Sequence, residues 1–396
     1  MTRKQRDAVI AGVYQTKQGD WSHSTQAQVW WDSVRGACDD AGIELGEIDG
    51  LIGPAPEGAG IRVQLPGAPL GYDLLGKPLR FQAASSIGAS AGASNINLAH
   101  YAVSTGLADV VVVATASGGV NEGYNSTDRD SAIAAMAKLS GPYEYVYGGT
   151  RVSDYATLAM RYFYEFGATS EQLAEVAVAQ RHGATLHPLS FNGHRGEITV
   201  DDVMSSRMIA DPLRLLDCCS INQGGGAYIV TTAERAKQSA TKPAVALLGY
   251  GEGHSHIDPN AVPSLATFEA PRIAADTAFD QAGITRDDID LTAIGDHFTI
   301  NVLLGLEGSG FFKPGEAARF AGEGGLKIGG ALPTNTAGGF LSFSHAASCG
   351  LFSLIEVVDQ LRGDAGDRQV AGARYGFVNG VGGAMQNNFA AILGKV

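Results

Sequence analysis

Three observations predict a layered α/β fold built by duplication. The segment 37–49, ACDDAGIELGEID, returns at 278–290 as AFDQAGITRDDID, and such self-similarity marks repeated units. Helical and strand-like hydrophobic spacings alternate along both halves with short connections, the pattern of parallel strands covered by helices on both faces. The run Val110-Val111-Val112-Val113 is continuously apolar, as a strand buried on both sides must be.

The elements follow in chain order. Val9-Ile10 begins a strand. Thr25 and Gln28 form a capping box for a helix whose Trp30, Val34, Ala37, Cys38 and Ala41 share one face. Gly42 ends it, and Gly283 ends its repeat, because glycine accepts the left-handed C-cap conformation. A strand then runs to Gly53 in the first copy and to near Gly295 in the second. Ser90-Ala91-Gly92 opens a helix carrying Ile96, Ala99, Ala102 and Val103, followed by the valine strand. In the second half, Ser348-Cys349-Gly350 opens a helix carrying Leu351, Leu354, Ile355 and Val358, followed by a strand at Tyr375-Gly376-Phe377-Val378. The halves span 1–236 and 237–396. An excursion at about 117–205, rich in tyrosine, carries helices at Arg161 to Phe166 and Glu171 to Arg181. Insertions of this length shape binding sites, and its tyrosines point to a bulky apolar pocket. Ligands of such sheets lie beyond the strand ends and at helix starts, here between the two halves.

Bulk properties narrow the function. The chain has 396 residues, 45% of them hydrophobic, and 53 glycines. That apolar content is ample for a core and excludes disorder. A net charge of −13 argues against nucleic acid and against an anionic membrane surface. Cys38, Cys218, Cys219 and Cys349 show neither a CxxC pair nor zinc spacing, so reduced thiols and no metal are expected. The charged N-terminus lacks an apolar signal core. Val110 to Ala116 is too short to span a bilayer, and a cytoplasmic location is expected.

Several blocks carry a family resemblance. They are Ala159-Met160-Arg161-Tyr162, Glu171 to Ala177, the run Ser206-Arg207-Met208-Ile209-Ala210-Asp211-Pro212-Leu213-Arg214-Leu215-Leu216-Asp217-Cys218-Cys219, and Gly224-Gly225-Gly226-Ala227. Asn335-Thr336-Ala337-Gly338-Gly339 with His345, and Gly380 to Ala384, complete the set. Together they resemble the lipid-transfer (sterol-carrier-protein thiolase) branch of the thiolase superfamily over nearly the whole chain. The resemblance implies the thiolase fold, a duplicated five-layered αβαβα with mixed sheets. It also implies homodimers and an acyl-CoA thioester as substrate, with no covalently bound cofactor.

The same resemblance locates the site and its departures. The family's nucleophilic cysteine position falls on Ala89, which cannot carry an acyl group. Its neighbour Ser90 is expected to cap the helix. In the loop Gly295-Asp296-His297-Phe298-Thr299, Gly295 stands where the family has a histidine and His297 where it has a cysteine. His297 and His345 are therefore the candidate acid/base groups. Asp296 is expected to orient its loop. Ala89, Ser90, Asp296, Gly338, Gly339, Gly382 and Gly383 are expected to surround the substrate. Cys349 is a small core residue or, less simply, a displaced nucleophile. Cys218 and Cys219 belong to a buried structural block.

Thiolysis needs an acyl carrier, whereas retro-aldol cleavage needs only a base and donors for the enolate oxygen. The run from Asp296-His297-Phe298-Thr299 to Gln360-Leu361-Arg362-Gly363 is similar to cysteine-lacking relatives that are acyl-CoA aldolases. Those relatives work with a small zinc-ribbon/OB-fold (DUF35) protein, in a heterotetramer. The expected activity is retro-aldol cleavage of a 3-hydroxyacyl-CoA. Alternatives are a thiolase or acyltransferase using Cys349 or Ser90, and a non-catalytic acyl-CoA or lipid-binding subunit.

Overall fold

A computed structural model of the chain describes residues 6–53, 75–85, 87–118, 149–239, 242–257 and 259–396. The strands are β1 (Ala8–Gln15), β2 (Gly50–Ile52), β3 (Phe81–Ala83), β4 (Val110–Ser117), β5 (Met208–Ala210), β6 (Leu213–Arg214), β7 (Gly224–Thr232), β8 (Val245–His254), β9 (Leu291–Ile294), β10 (Tyr375–Gly382) and β11 (Asn387–Lys395). Among the described residues, nine of them hydrogen-bond in the order β3-β2-β4-β7-β1-β8-β11-β10-β9, while β5 and β6 form a separate hairpin.

The duplication is visible in that order. Read inward from β2 on one side and from β9 on the other, β2-β4-β7-β1 matches β9-β10-β11-β8, with β3 added beyond β2. The two series meet where Val9 and Ile10 pair with Ala246 and Val245. The sheet is mixed rather than parallel. β2 is parallel to β3 and β4, and β9 to β10, whereas β7, β1, β8 and β11 pair antiparallel with their neighbours. Parallel neighbours need a crossover connection, which the Ile96–Ser104 helix supplies between β2 and β4 and the Gly350–Arg362 helix between β9 and β10. β10 and β11 are joined by a short turn, which imposes antiparallel pairing.

Side-chain alternation along the strands builds the layers. Val111 and Val113 face a central core that also holds Ala99, Val103, Leu351, Leu354 and Val358 from the Ile96–Ser104 and Gly350–Arg362 helices. Val110, Val112 and Ala114 face the opposite side, against Trp30, Val34 and Ala37 of the Gln26–Ala41 helix. β11 divides likewise. Phe389, Ala391 and Leu393 point to the central helices, while Ala390 and Ile392 point to Ala274, Ala278 and Phe279 of the Glu269–Ala282 helix. Helix, sheet, helix pair, sheet and helix are the expected five layers.

Local signals behave as their chemistry requires. The Thr25–Gln28 capping box forms, and Gly42 and Gly283 close their helices in the left-handed region (φ 63° and 66°). The excursion differs from expectation. Its 119–148 part lies outside the described residues, and the rest folds as the Arg151–Phe166, Ser170–Thr185 and Val200–Ser205 helices. Its tyrosines Tyr155 and Tyr162 are core residues packed with Phe298 and Leu303 of the second half, and Tyr164 is exposed. Tyr124, Tyr143, Tyr145 and Tyr147 lie outside the described residues. Among the described residues no helix is long and apolar enough to cross a membrane.

Candidate active site

The two central helices meet start to start. A Cβ on Gly92 would stand 2.7 Å from the Ser348 carbonyl oxygen, and one on Gly350 would stand 2.8 Å from the Ser90 Cα. Glycine in both positions lets backbone touch backbone, so the two halves bring equivalent tripeptides, Ser90-Ala91-Gly92 and Ser348-Cys349-Gly350, into one place. Ala89 lies there partly accessible, and the Cys349 thiol points at its carbonyl with Sγ 3.8 Å away.

Two loops of the second half complete the cluster. His297 follows β9, and His345 follows a π-helical turn at Gly339–Phe343. Their rings lie edge to face with centroids 5.1 Å apart. Phe340 stands beside both, at 5.0 Å from His297 and 6.0 Å from His345. One donor atom each of His297, His345 and Cys349 lies within 4.8 Å of the others. Nδ1 of His297 and Nε2 of His345 are enclosed and have no hydrogen-bond partner among the described residues.

Burial sets the protonation of this cluster. It lowers the His345 pKa to about 4. His297 is pushed well below the usual imidazole range, first by burial, then by His345 and Arg151. Both rings are thus neutral at neutral pH, each carrying one N–H and one lone pair. Cys349 is wholly buried, and burial, aided by Cys219 and Asp296, raises its thiol well above the usual range. It is a protonated core residue, lacking the electropositive, partly exposed surroundings of a reactive thiol.

The remaining expected residues take specific places. Ser90 does not cap its helix; its buried hydroxyl donates to the Val381 carbonyl at 3.0 Å. Asp296 takes the loop-orienting place. It is fully buried, and its oxygens accept the Phe340 and Leu341 amides at 2.8 and 3.1 Å. Burial raises its pKa to about 7 against the pull of those amides. This carboxyl ties the His297 loop to the turn that carries His345, and Gly339 permits it, since a Cβ there would lie 2.3 Å from Oδ2. Gly338 packs on the Ser170–Thr185 helix, against Gln180 and Ala184. Gly382 abuts Ile87, and the Gly383 carbonyl accepts the Tyr155 hydroxyl at 2.7 Å. These glycines place loops around the cluster by close backbone contact.

Sequence reasoning missed Asn222. Its Oδ1 accepts the His345 amide at 2.7 Å, and its Nδ2 donates to the Ser344 hydroxyl at 3.1 Å. The Ser344 hydroxyl in turn donates to Gln18 at 2.7 Å. The Cys219 amide donates to the His297 carbonyl at 2.9 Å, and Asp217 accepts the Thr299 hydroxyl at 2.8 Å. Residues 217–222 therefore strap both histidine loops. The signal was adjacent: Asn222 follows closely on the block ending at Cys218-Cys219. Those two cysteines are partly rather than fully buried.

Comparison with known proteins places this arrangement. The family model described as thiolase C-terminal domain-like matches residues 251–395. An acetyl-CoA acetyltransferase of Methanothermobacter thermautotrophicus is 34% identical over 96% of this chain and 97% of its own. A steroid side-chain-cleaving aldolase of Thermomonospora curvata is 33% identical, over 90% of each chain. The solved structure described as Ltp2-ChsH2(DUF35) aldolase superposes with a TM-score of 0.85 at 30% identity, covering 99% of this chain and 98% of that one. Duplicated fold, second-half histidines and full-length similarity agree: the chain belongs to the thiolase superfamily, in its sterol-carrier-protein thiolase-like branch.

Proposed function

We propose that this chain is an acyl-CoA carbon–carbon lyase that cleaves a 3-hydroxyacyl-CoA by a retro-aldol reaction without an acyl-enzyme. The observation that carries this reading is the pairing of two neutral imidazoles, each with one enclosed nitrogen that has no partner, with the lack of a usable nucleophile among the described residues of the site: Ala89 has none, Ser90 is committed to Val381, and the Cys349 thiol stays protonated. Similarity to aldolases over most of the chain supports it.

In the reaction, one imidazole nitrogen takes the proton of the 3-hydroxyl. The oxygen's electron pair forms the new carbonyl, the Cα–Cβ bond breaks, and its pair enters the thioester as an enolate. The other imidazole, as an N–H donor, stabilises the enolate oxygen. The proton then returns to Cα, giving a shortened acyl-CoA and an aldehyde or ketone. In this reading the half 237–396 supplies the proton-transfer groups, while 1–236 supplies the helix start and the Asn222 strap. The aldolase structure described with a DUF35 component supports a small DUF35 partner. A homodimer through the thiolase fold is part of the proposal.

The test is product analysis with the full chain, alone and with a DUF35 protein. Equal amounts of carbonyl product and shortened acyl-CoA, formed without added free CoA and with the protein mass unchanged, are expected. A second reading, an acyltransferase with Cys349 as carrier, is favoured by the similarity to acetyl-CoA acetyltransferase. An acyl-sized mass gain on Cys349 would replace the lyase reading with that one.

A further inference from the structure

We propose that His297, His345 and Cys349 also form a binding site for a borderline-soft divalent cation of the Zn2+ type, and that filling it blocks the reaction. The second clause rests on the lyase reading; the first does not. One donor atom from each residue lies within 4.8 Å of the other two. A tetrahedral zinc centre with Zn–N of about 2.0–2.1 Å and Zn–S of about 2.3 Å places its donors roughly 3.4–3.7 Å apart. Binding therefore requires the donors to draw together by about 1 Å.

The enclosed, unpartnered Nδ1 of His297 and Nε2 of His345 are the second observation. Buried polar atoms normally have partners, and an unpartnered one calls for an ion, a water or a substrate. Two imidazoles and a thiol select zinc-like ions over the oxygen-seeking Mg2+ and Ca2+. The nearby carboxyl does not compete as a ligand, because Asp296 is held by the Phe340 and Leu341 amides. Three protein ligands leave a fourth position for water or a substrate oxygen, as in open zinc sites. On binding, the Cys349 thiol releases its proton to solvent, and no electron transfer is involved. A lone pair bound to the cation cannot accept the substrate's hydroxyl proton. The cation and the reaction therefore compete for the same two imidazoles.

Co2+ is the probe, titrated into the metal-stripped full-length protein and read by absorbance. The expected result is one equivalent bound, with visible bands of a four-coordinate ion and a near-ultraviolet thiolate-to-cobalt band. Cys349→Ala should lose the thiolate band, and His345→Gln should weaken binding; circular dichroism checks that each folds, and His345→Gln decides alone if Cys349→Ala does not. Zn2+ at one equivalent should abolish carbonyl release by the wild type. Absence of the thiolate band, or its persistence in Cys349→Ala, overturns the site. Stimulation by Zn2+ with the band present overturns the blocking role. A protein that shows the band yet cleaves no 3-hydroxyacyl-CoA keeps the site and loses the lyase reading.

Discussion

The two central helices begin with related tripeptides in contact, yet their surroundings carry different chemistry. On the first-half side stand Ala89, with no functional group, and Ser90, whose hydroxyl is turned away to Val381. On the second-half side stand Cys349, His345 and, from the preceding loop, His297. Duplication supplied two equivalent corners, and only one now holds proton-transfer groups. The other has become a fitted backbone surface, with Asn222 as its grip on His345. In the proposed reading, the covalent carrier is lost while the acid/base side stays assembled.

The comparison can be broken most directly at the imidazoles. His345→Gln and His297→Gln should each lower kcat for carbonyl release by about 10²–10⁴-fold, the usual scale of acid/base groups. Single-turnover assays separate this from substrate binding, and wild-type rates in both variants would sink the assignment. Gly339→Ala comes next. Its Cβ would collide with the Asp296 carboxyl in a backbone at φ +57°, so denaturant unfolding should show a loss of about 2–4 kcal/mol.

Asn222→Ala tests the first half's hold on the second. It leaves the His345 amide without its acceptor, and should cost about 1–3 kcal/mol of stability. Disordering His345 should also reduce kcat by roughly tenfold or more with KM little changed. An unchanged kcat would mean that His345 needs no strap.

A smaller effect sits on the body of the second-half helix. Burial, then Glu356, raises the Asp359 pKa to about 7. The folded state therefore resists its ionisation, and stability falls as pH rises from the unfolded carboxyl value, near 4, to about 7. Asp359→Asn should raise stability by about 1–2 kcal/mol at pH 8, after allowance for partial solvent contact, and by nothing near pH 3. Melting temperatures at both pH values check the sign. The smallest change is Ala89→Cys, on the inert corner. It should add one thiol that alkylates faster than Cys349, because Ala89 is partly accessible and Cys349 is enclosed. Equal labelling would contradict the asymmetry.

The sequence alone determined what repeats and what is local. The 37–49 and 278–290 copies, the Thr25 cap, the Gly42 and Gly283 stops and the valine strand were all legible, because periodicity and capping act within a few residues. Resemblance to the family pointed to Ala89 as the nucleophile's position and to His297 as an acid/base candidate. Tertiary structure decided which of these residues meet and which way they face. Parallel and antiparallel pairing depended on strand order, which periodicity does not encode. Ser90 read as a cap, but its hydroxyl found Val381, 291 residues away. Asp296 read as a residue that orients its loop, and only the fold showed the means, two amides at 340 and 341 that it accepts. Of the excursion's tyrosines, Tyr155 and Tyr162 bury their rings against the second half, a packing that only the fold decided. Asn222 had no motif at all; its role exists only because the His345 amide arrives beside it. Directions of buried polar side chains follow from the backbone groups left unpaired around them, and those are known only once the chain has folded.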